Sequence, residues 1–507
     1  MMAKTAFIGI DIGTTGARCC IFDGDGRLIS MAKRNYRIIQ PKPGWVEQDP
    51  DEVVSAVYSS IKESLELANG EYEIGAIGLS SVFHSIMLVD SDVRKKTNLI
   101  IWGDNRSNDL LKSYRERFDY LYDITGCPLH VNYPLAKLIW FKHETPQALD
   151  EAYRIMTIKE YVLWNLAKVF AIDISVASGS GLLNIYKRKW EESIFDSLDI
   201  SIGKMSETVY PSTVVGKVSK EVSLITSLRE GTPIVIGAGD GALSSLGSNS
   251  IGEGKMAIMI GTSGAVRMAV KGPMTDKKRR TWCYILDEDT WLVGCAINNA
   301  GLVMAWYIDG FYEDLKEMGL DLYREAERWV QEVKPGAGGL LLLPFLTGER
   351  GPYWNADVRG ILFGLALHHD RRHIARAIIE GVAFRMRSIY EAVSEVVSVP
   401  TELRGTGGLM RSKVWAGVLS SVLGRSIVRV NMEEASSFGA AVMAMRGVGY
   451  IKSYEDILPK AVQLVDCIEP DERLRVLYER LYRIYWKIYH KLQDEFREIS
   501  ELQETMG

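Results

Sequence analysis

The sequence predicts an α/β fold in two large halves, and three features lead to this prediction. Strand-like and helical runs alternate along the chain, which is the pattern of α/β proteins. The 507 residues exceed what one hydrophobic core organises. Both halves open with a strand, a Gly/Thr turn and a second strand, at Gly9–Gly16 and at Gly261–Ala265. We place the boundary near Ser248, which predicts domains at residues 1–247 and 248–507.

The first half begins with a hairpin and continues with a helix and further strands. Ala6–Asp11 and Ala17–Asp23 read as strands on either side of the glycine turn. Asp49–Leu67 starts with Asp-Pro and repeats apolar residues at helical spacing, which predicts a helix. Ile74–Ser80 and Ser85–Asp90 are short apolar runs that predict two more strands.

The second half repeats this opening and ends in helices. Lys255–Ile260 and Ala265–Val270 predict the strands of a second hairpin, and Val414–Leu423 predicts a helix. From Asp471 onward, leucines, isoleucines and tyrosines share one helical face, which predicts one long helix. We expect this face to pack on its own domain. Contact with a second copy, in a homodimer, is the alternative.

Composition and charge argue against several classes of function. The chain has 47% hydrophobic and 25% charged residues and a net charge of -5, so we expect no nucleic-acid or membrane partner. No apolar run reaches the ~18 residues of a membrane span. The six cysteines form no Cys-x-x-Cys pair, which argues against a zinc or redox site. We read no signal peptide and expect reduced thiols in a cytoplasmic protein.

Asp240 is the strongest catalytic candidate in the chain. The run Pro233–Gly239 has the apolar pattern of a strand and delivers this carboxylate onto a glycine-lined turn. Glycine lets the backbone take positive φ values and lets another group approach closely. A carboxylate held in this way can accept the proton of a hydroxyl group that attacks a phosphoryl donor. The sequence therefore indicates a kinase.

The turn after Asp11 has the composition of a phosphate-binding turn. Backbone N–H groups in Gly-rich turns form anion-binding nests, and the Thr14 and Thr15 hydroxyls add donors. Asp11 lies at a strand end, where a carboxylate can hold Mg²⁺ directly or through water. Arg18 follows on the return strand and can reach a phosphate. An ordinary hairpin turn explains the same residues, and both interpretations stay open.

Three better-known nucleotide motifs do not fit the chain. It contains no Gly-x-x-x-x-Gly-Lys-Ser/Thr loop, and no His-Arg-Asp or Asp-Phe-Gly of a protein kinase. The pattern Gly237-x-Gly239-x-x-Ala242 fits a loose dinucleotide fingerprint. However, Gly247 ends the following helix early, and Glu253 is too near to be the required acidic residue. A nicotinamide site is therefore not expected.

A third Gly-rich turn, Thr406–Gly408, follows a strand-like run and precedes the helix predicted from Val414. Paired glycines there let a flat ligand such as adenine lie against the backbone. A plain strand-to-helix turn explains the same residues.

The turns at Asp11–Gly16, Gly239–Gly241 and Thr406–Gly408, in this order, resemble those of the FGGY family of carbohydrate kinases. The resemblance runs from about residue 6 to about residue 447 and includes the family's C-terminal pattern at Gly360–Leu365 and His373–Glu380. It implies two ribonuclease-H-like domains of the actin/hexokinase ATPase type, with the catalytic cleft between them. It also implies that the first domain binds mainly the sugar and the second mainly the nucleotide.

A second family pattern is matched in the first half, with departures at two positions on the substrate side. The matching residues are Pro134, Lys137, Leu138, Trp140 and Phe141. The chain departs from this pattern at Asn132 and His143.

Within this family the chain most resembles the gluconate kinases. The shared stretches are Phe83–Ser85, Trp102–Ser107, Thr125–His130 and Gly348–Asn355. Gly241 also resembles that group, since xylulose kinases usually carry Asn at this position. Xylulose kinase, or another pentulose or polyol kinase, is the alternative because these enzymes share the same frame. An actin- or chaperone-like ATPase that binds a partner is a more remote alternative.

The resemblance assigns roles to the matching residues and implies ATP and Mg²⁺ as cofactors. Asp240 is the implied base, and Asp11 and Asp240 are the implied metal ligands. The residues implied in ATP binding are Thr14, Thr15, Arg18, Gly261, Thr262, Gly301, Gly408 and Ser412. The residues implied in substrate binding are Phe83, His84, Trp102, Asp104, Arg106, His130, Asn132 and Asp240.

The expected substrate, D-gluconate, carries a carboxylate and a row of hydroxyl groups, and its phosphorylation gives 6-phosphogluconate. A guanidinium offers two parallel donors to a carboxylate, so we expect Arg106 to bind this end of the substrate. His130 is the second candidate. An arginine or histidine in a loop is also often a structural hydrogen bonder, and that alternative stays open.

Overall fold

The computed structural model describes residues 4–312 and 320–506 and forms two large mixed sheets, one in each half of the chain. In the first half the described strands are β1 (Lys4–Ile12), β2 (Gly16–Asp23), β3 (Leu28–Asn35), β4 (Glu47–Gln48), β5 (Tyr72–Ser81), β6 (Met87–Val89), β7 (Leu99–Ile100), β8 (Arg154–Met156), β9 (Ile172–Asp173), β10 (Leu183–Asn184), β11 (Lys189–Trp190), β12 (Thr208–Val209), β13 (Val214–Lys217) and β14 (Pro233–Gly239). The described helices there are α1 (Pro50–Leu67), α2 (Asn108–Phe118), α3 (Leu121–Thr125), α4 (Pro134–Glu144), α5 (Pro146–Asp150), α6 (Ile158–Ala167), α7 (Ile174–Ser178), α8 (Glu192–Leu198), α9 (Lys220–Thr226) and α10 (Asp240–Gly247).

The second half has fewer short strands and longer helices. Its described strands are β15 (Lys255–Ile260), β16 (Gly264–Val270), β17 (Trp282–Ile285), β18 (Trp291–Ile297), β19 (Leu341–Leu343), β20 (Ile361–Phe363), β21 (Glu402–Thr406), β22 (Ile427–Val430) and β23 (Leu464–Ile468). Its described helices are α11 (Gly301–Phe311), α12 (Leu322–Glu332), α13 (Arg371–Val396), α14 (Lys413–Leu423), α15 (Ala435–Gly447), α16 (Leu458–Ala461), α17 (Arg475–Lys491) and α18 (Gln493–Met506).

The two large sheets share one topology. The strand orders are β13-β14-β5-β1-β2-β3 and β17-β18-β16-β15-β21-β22-β23. In each sheet an opening hairpin gains a third antiparallel strand on one side and two parallel strands on the other. This duplicated five-strand core is the ribonuclease-H-like arrangement, so the predicted α/β fold class is confirmed.

The locally encoded elements appear where the sequence predicts them. Both hairpins form, and α1 begins at Pro50 because the side chain of Asp49 accepts a hydrogen bond from the Asp51 N–H at 2.9 Å. The prediction of one long C-terminal helix is wrong. The chain forms α17 and α18, which meet at Leu492, where ψ is 26°.

The buried face of α17 packs on the core of its own half, as expected. This face contains Tyr478, Leu481, Tyr482, Tyr485, Ile488 and Tyr489. The homodimer stays a hypothesis.

Helix α15 joins the two halves, because it comes late in the chain but packs on the first sheet. A Cβ on Gly9 of β1 would overlap the carbonyl of Ser437, and a Cβ on Gly78 of β5 would overlap that of Ala440. Only glycine permits this approach of helix backbone to sheet backbone. The turns that follow β1, β14, β15 and β21 consequently open toward the gap between the halves.

Within the two described ranges, no helix combines the length and apolar character needed to cross a bilayer.

Candidate active site

Asp240 is the first residue of α10, directly after β14. The strand bulges just before it: Gly237 has a φ of +67°, and a Cβ there would overlap the carbonyl of Leu79 on β5. A Cβ on Gly239 would overlap the ring of Phe83. Glycine at these two positions therefore lets the strand end bring a carboxylate into the cleft. The predicted strand and glycine turn are both present.

The surroundings of Asp240 raise the pKa of its carboxyl group above the ordinary value of an aspartate. Burial raises the pKa of Asp240 to about 6, and the nearby Asp11 carboxylate also raises this pKa. The Arg267 guanidinium, the hydrogen bond from the Gly241 N–H at 2.6 Å and the Lys159 ammonium lower the same pKa. A carboxyl group with a pKa near the working pH suits general base catalysis.

We expect kcat/KM for the sugar to fall as the pH drops through about 6, because the base must be ionised and its pKa is raised to about 6. Activity should therefore rise with pH through this window and level off above it. The measurement is kcat/KM at saturating ATP–Mg²⁺ from about pH 5 to about pH 8.5. Arg267→Met should move the acid limb, the rising part of this pH profile, to higher pH, since Arg267 lowers the pKa of Asp240. A flat profile down to the acid end contradicts the assignment.

Asp11 lies on β1 opposite Arg18 of β2. Its buried carboxylate accepts a hydrogen bond from Ser80 Oγ at 2.8 Å, and its Oδ2 is 4.0 Å from Arg18 Nη1. Burial raises the pKa of Asp11, and the charge of Asp11 in turn raises the pKa of Asp240. The two carboxylates, at the ends of β1 and β14 of the same sheet, therefore repel each other.

These two carboxylates fit a Mg²⁺ ion. A divalent cation relieves their repulsion, and Mg²⁺ is usually held by one or two carboxylates together with water and substrate phosphates. Within residues 4–312 and 320–506, no three His, Cys, Asp or Glu side chains are placed to hold a metal. The protein would therefore supply only part of the ligand shell, as Mg²⁺ with a nucleotide requires.

Asp11→Asn should raise the Mg²⁺ concentration for half-maximal activity by about tenfold, a typical cost of disturbing a metal site. The amide keeps an acceptor for Ser80 Oγ but loses the charge. The measurement is a Mg²⁺ titration at fixed ATP. Asp25→Asn, at the exposed β2–β3 turn, is the matched control. An Asp11→Asn titration that superimposes on the wild-type curve removes Asp11 from the metal site.

The second hairpin places a Gly/Thr turn at the N-terminus of α11. The Gly301 N–H donates to Gly261 O at 2.9 Å, and the Ala300 and Leu302 N–H groups donate to Thr262 O at 3.2 and 3.1 Å. A Cβ on Gly301 would lie only 2.7 Å from Gly261 O, so this contact needs glycine. The structure therefore brings Gly261, Thr262 and Gly301 together at the N-terminus of α11.

A cavity of about 400 Å³ opens at the carboxyl end of β21. It is lined by Arg18, by the turn Thr406–Gly408 and by Asn431–Glu434. Gly407 has a φ of +91°, and a Cβ there would lie 2.5 Å from Ile260 O. Gly408 thus lies where the sequence places it, on open backbone facing a cavity.

Arg18 connects this cavity with the first half of the chain. Its Nη1 donates to Glu434 Oε2 at 2.6 Å, so the ion pair spans the two halves. Arg18 is only about one third exposed and faces the cavity from the Asp11 hairpin. A phosphate bound there would meet a fixed guanidinium.

Two residues expected to bind ATP are placed differently. Ser412 caps α14: its Oγ accepts hydrogen bonds from the Val414 and Trp415 N–H groups at 3.2 and 3.3 Å. Ser412 does not line the cavity. Serine is a preferred residue at the N-cap of a helix, and this is the role of Ser412 here. Thr15 is exposed at the hairpin tip and lines neither this cavity nor the one beside Asp240.

The cavity beside Asp240 has a volume of about 150 Å³ and lies between the halves. Six predicted residues line it: Thr14, Phe83, His84, Trp102, Asn132 and Asp240. The rest of its wall is largely aromatic and cationic and includes Tyr133, Arg267, Trp282, Tyr284, Arg350 and Trp354.

His84 is a neutral acceptor in this cavity. It has a positive φ of 63°, and its Nδ1 lies 2.5 Å from the Gly179 carbonyl, which can only accept. Burial lowers the pKa of His84 to about 3. Nδ1 therefore carries the proton, and Nε2 is left to accept a hydrogen bond from a hydroxyl group.

Trp102 and Asn132 are fastened to each other and to the Asp11 turn. Trp102 Nε1 donates to Thr14 Oγ1 at 3.1 Å, and Asn132 Nδ2 donates to Trp102 O at 2.8 Å. These hydrogen bonds hold the indole as one wall of the cavity, at a fixed position relative to the Asp11 hairpin.

Arg106 and Asp104 do not reach the cavity, so their assignment as substrate contacts is wrong. Arg106 Nη2 donates to Glu47 Oε1 at 2.6 Å and to Asp104 Oδ2 at 2.8 Å, and its guanidinium lies 3.7 Å from the Trp45 ring centroid. Asp104 is fully buried and also accepts from the Val46 N–H. Two carboxylates already occupy this guanidinium, which leaves none of it for a ligand carboxylate.

His130 lies in an adjoining chamber of about 190 Å³ that shares Trp102, Asn132 and Ser263 with the first cavity. Its Nδ1 accepts from the Asn132 N–H at 3.3 Å, and burial lowers its pKa to about 3. Its buried Nε2 has no partner within the part of the chain that the structure describes. His130 therefore presents an N–H donor to this chamber and carries no charge.

Sequence reasoning missed the two cations of the cavity, Arg267 and Arg350. Arg267 extends from β16 and lies 5.9 Å from the Trp282 ring centroid. Arg350 Nη2 donates to Ile297 O at 2.9 Å, and its guanidinium is 5.4 Å from the Trp102 ring centroid. One signal was available for each: Arg267 is the only charged residue of an otherwise apolar strand, and Arg350 lies within Gly348–Asn355.

The chain is similar to known carbohydrate kinases along nearly its whole length. Residues 6–247 match the N-terminal domain model of the FGGY family of carbohydrate kinases, and residues 256–448 match its C-terminal domain model. A gluconokinase of Bacillus licheniformis is 32% identical over 99% of this chain and 98% of its own length. The solved gluconate kinase of Lactobacillus acidophilus is 27% identical, with a TM-score of 0.90 over 98% of this chain and 100% of its own. The solved xylulose kinase of that organism is 28% identical, with a TM-score of 0.91 over the same shares.

Proposed function

Because the chain belongs to the FGGY family of carbohydrate kinases, we propose that this sugar kinase transfers the γ-phosphate of ATP to the primary hydroxyl of D-gluconate. The observation that carries the choice of sugar is the pair Arg267 and Arg350, which line one small cavity together with Asp240. Two guanidinium groups beside the base suit a substrate that is itself an anion. The product is 6-phosphogluconate.

Asp240 accepts the proton of the attacking hydroxyl group. The hydroxyl oxygen then bonds to the γ-phosphorus of ATP, and the bond from that phosphorus to the β–γ bridging oxygen breaks, with ADP as leaving group. His84 Nε2 and Asn132 supply hydrogen-bonding groups for the remaining hydroxyls. Trp102 forms one wall of the cavity. Positioning and charge complementarity supply most of the rate in such transfers.

Residues on both walls of the cleft suit the nucleotide. We assign the phosphates to the Asp11 hairpin and the Gly261–Thr262 turn, with Arg18 beside them, and the base to the cavity at Gly408. Asp11 and Asp240 would hold Mg²⁺, which neutralises charge on the transferred phosphoryl group when it is bound. Residues 1–247 would then form mainly the sugar-binding domain and residues 248–507 mainly the nucleotide-binding domain.

Closure of the cleft would keep water away from the γ-phosphate, since water competes with the sugar as acceptor. The Arg18–Glu434 pair already links the halves beside the proposed phosphate site.

A xylulose kinase is the second candidate. Xylulose kinases stand beside gluconate kinases among the relatives, with a TM-score of 0.91 for one of them. A pentulose carries no charge, so it offers the two arginines of the cavity no carboxylate to bind.

An ATP-dependent phosphorylation screen over gluconate, xylulose, ribulose and glycerol decides between them. We expect the highest kcat/KM with gluconate. A wild-type preference for xylulose contradicts the gluconate proposal and supports the second candidate. ATP turnover that no sugar stimulates would instead support a binding ATPase of the same fold.

A further inference from the structure

A buried ion pair fixes the strand end that carries Asp240, and we propose that Lys159 and Asp173 are positioning residues for phosphoryl transfer. The inference rests on the proposed function, in which Asp240 is the base. Lys159 Nζ donates to Asp173 Oδ2 at 2.7 Å and to Ala238 O at 2.8 Å. Ala238 is two residues before the base.

This part of β14 needs support because it is irregular. The register with β5 shifts between Val235 and Ala238, where Gly237 has its positive φ. Beyond this bulge, side chains hold the backbone as well: the Gly239 N–H donates to Ser175 Oγ at 3.3 Å. Lys159 in the first turn of α6 and Ser175 in α7 therefore secure the last two residues before Asp240.

Asp173 compensates the charge of the buried lysine. Both side chains of the pair are fully buried. An isolated ammonium there would lose its proton, whereas the carboxylate and the Ala238 carbonyl together satisfy it. Asp173 is itself fixed, because its Oδ1 caps α7 by accepting from the Val176 N–H at 2.8 Å.

The test is the double variant Lys159→Met/Asp173→Asn. It leaves no single charge buried, and Asn keeps the oxygen that caps α7. We expect kcat to fall about ten- to a hundredfold, the cost of slightly misplacing a reacting group. KM for the sugar and for ATP should change little, because neither residue of the pair lines the cavity beside Asp240 or the one at Gly408.

Two further variants separate positioning from general destabilisation. Arg376→Met/Glu380→Gln removes a buried pair that also holds backbone carbonyls, those of Val330 and Val333, in the other half. It should lower the melting temperature and leave kcat close to that of the wild type. Ser175→Ala removes only the contact to the Gly239 N–H, and it should lower kcat severalfold with little change in KM.

Wild-type kcat in the double variant overturns the inference, and so does an equal loss of kcat in the Arg376/Glu380 control. The value of kcat is measured with the best sugar of the screen and, without sugar, as the rate of slow ATP hydrolysis. A wild type that phosphorylates no sugar therefore contradicts the proposed function alone, because the hydrolysis rates of the variants still report on the position of Asp240.

Discussion

Asp240→Asn should lower kcat for sugar phosphorylation by about 10²–10⁴, the range that a positioned general base contributes. The amide is nearly isosteric and keeps the oxygen that accepts from the Gly241 N–H, but it cannot take up a proton at neutral pH. The turn before it should survive, since Gly237 and Gly239 set its backbone. Steady-state kinetics with the best sugar at saturating ATP–Mg²⁺ give the loss.

Binding of the metal-free nucleotide is the internal control for this variant. The cavity at Gly408 and Arg18 does not include Asp240, so the Kd for ATP without Mg²⁺ should stay close to that of the wild type. Asp289→Asn, at the turn between β17 and β18, gives a matched change in charge outside the cleft. Near-normal sugar phosphorylation by Asp240→Asn removes this carboxylate from the mechanism.

The parts of this molecule that were predictable are those encoded within a few residues. The two hairpins and Asp240 combine an apolar run with a glycine turn, and both signals lie within about ten residues of sequence. Helix α1 likewise carries its own start at Asp49 and Pro50. The duplicated opening was also visible locally, although the shared five-strand topology needed the pairing partners of every strand.

The features that could not be predicted depend on contacts between segments that are distant in the sequence. The sequence near Arg106 does not show that its guanidinium is occupied, which is why it is predicted to bind a ligand. Its partner Glu47 is 59 residues away, and Trp45 lies against the guanidinium. The need for glycine at Gly9 and Gly78 comes from helix α15, more than 350 residues later in the chain. No local pattern announces such a packing partner, so the sequence could not separate a ligand-binding arginine from a structural one.

The break at Leu492 was missed for a related reason. The apolar face of α17 continues in sequence toward α18, and no Pro or Gly marks the end of the helix. The junction lies where Gln493 Nε2 donates to Tyr489 O at 2.7 Å and Asn355 Nδ2 donates to Gln493 Oε1 at 3.2 Å. A loop of the second half thus meets the helix end through tertiary contacts that periodicity does not encode.

Replacing one cation of the cavity tests whether the enzyme recognises the carboxylate of an acidic sugar. Arg267→Met should raise KM for gluconate about ten- to a hundredfold, because a buried hydrogen bond to a charged group contributes roughly 1.5–3 kcal/mol. Within the described residues its guanidinium forms no hydrogen bond or ion pair with the protein, so it is available to a ligand, and Met keeps the contact with Trp282. Arg188→Met is the matched control, since Arg188 lies 4.9 Å from the Trp291 ring centroid and outside the cavity.

The ratio of kcat/KM for gluconate to that for xylulose isolates the carboxylate from other effects of Arg267. This arginine also lowers the pKa of Asp240, and that loss slows both sugars alike because both need the same base. A lost carboxylate contact slows only gluconate, so the ratio should fall by about one to two decades. If Arg267→Met depresses both sugars equally, the guanidinium serves the base or the phosphate rather than the substrate carboxylate, and Arg350 becomes the remaining cation for an acidic sugar.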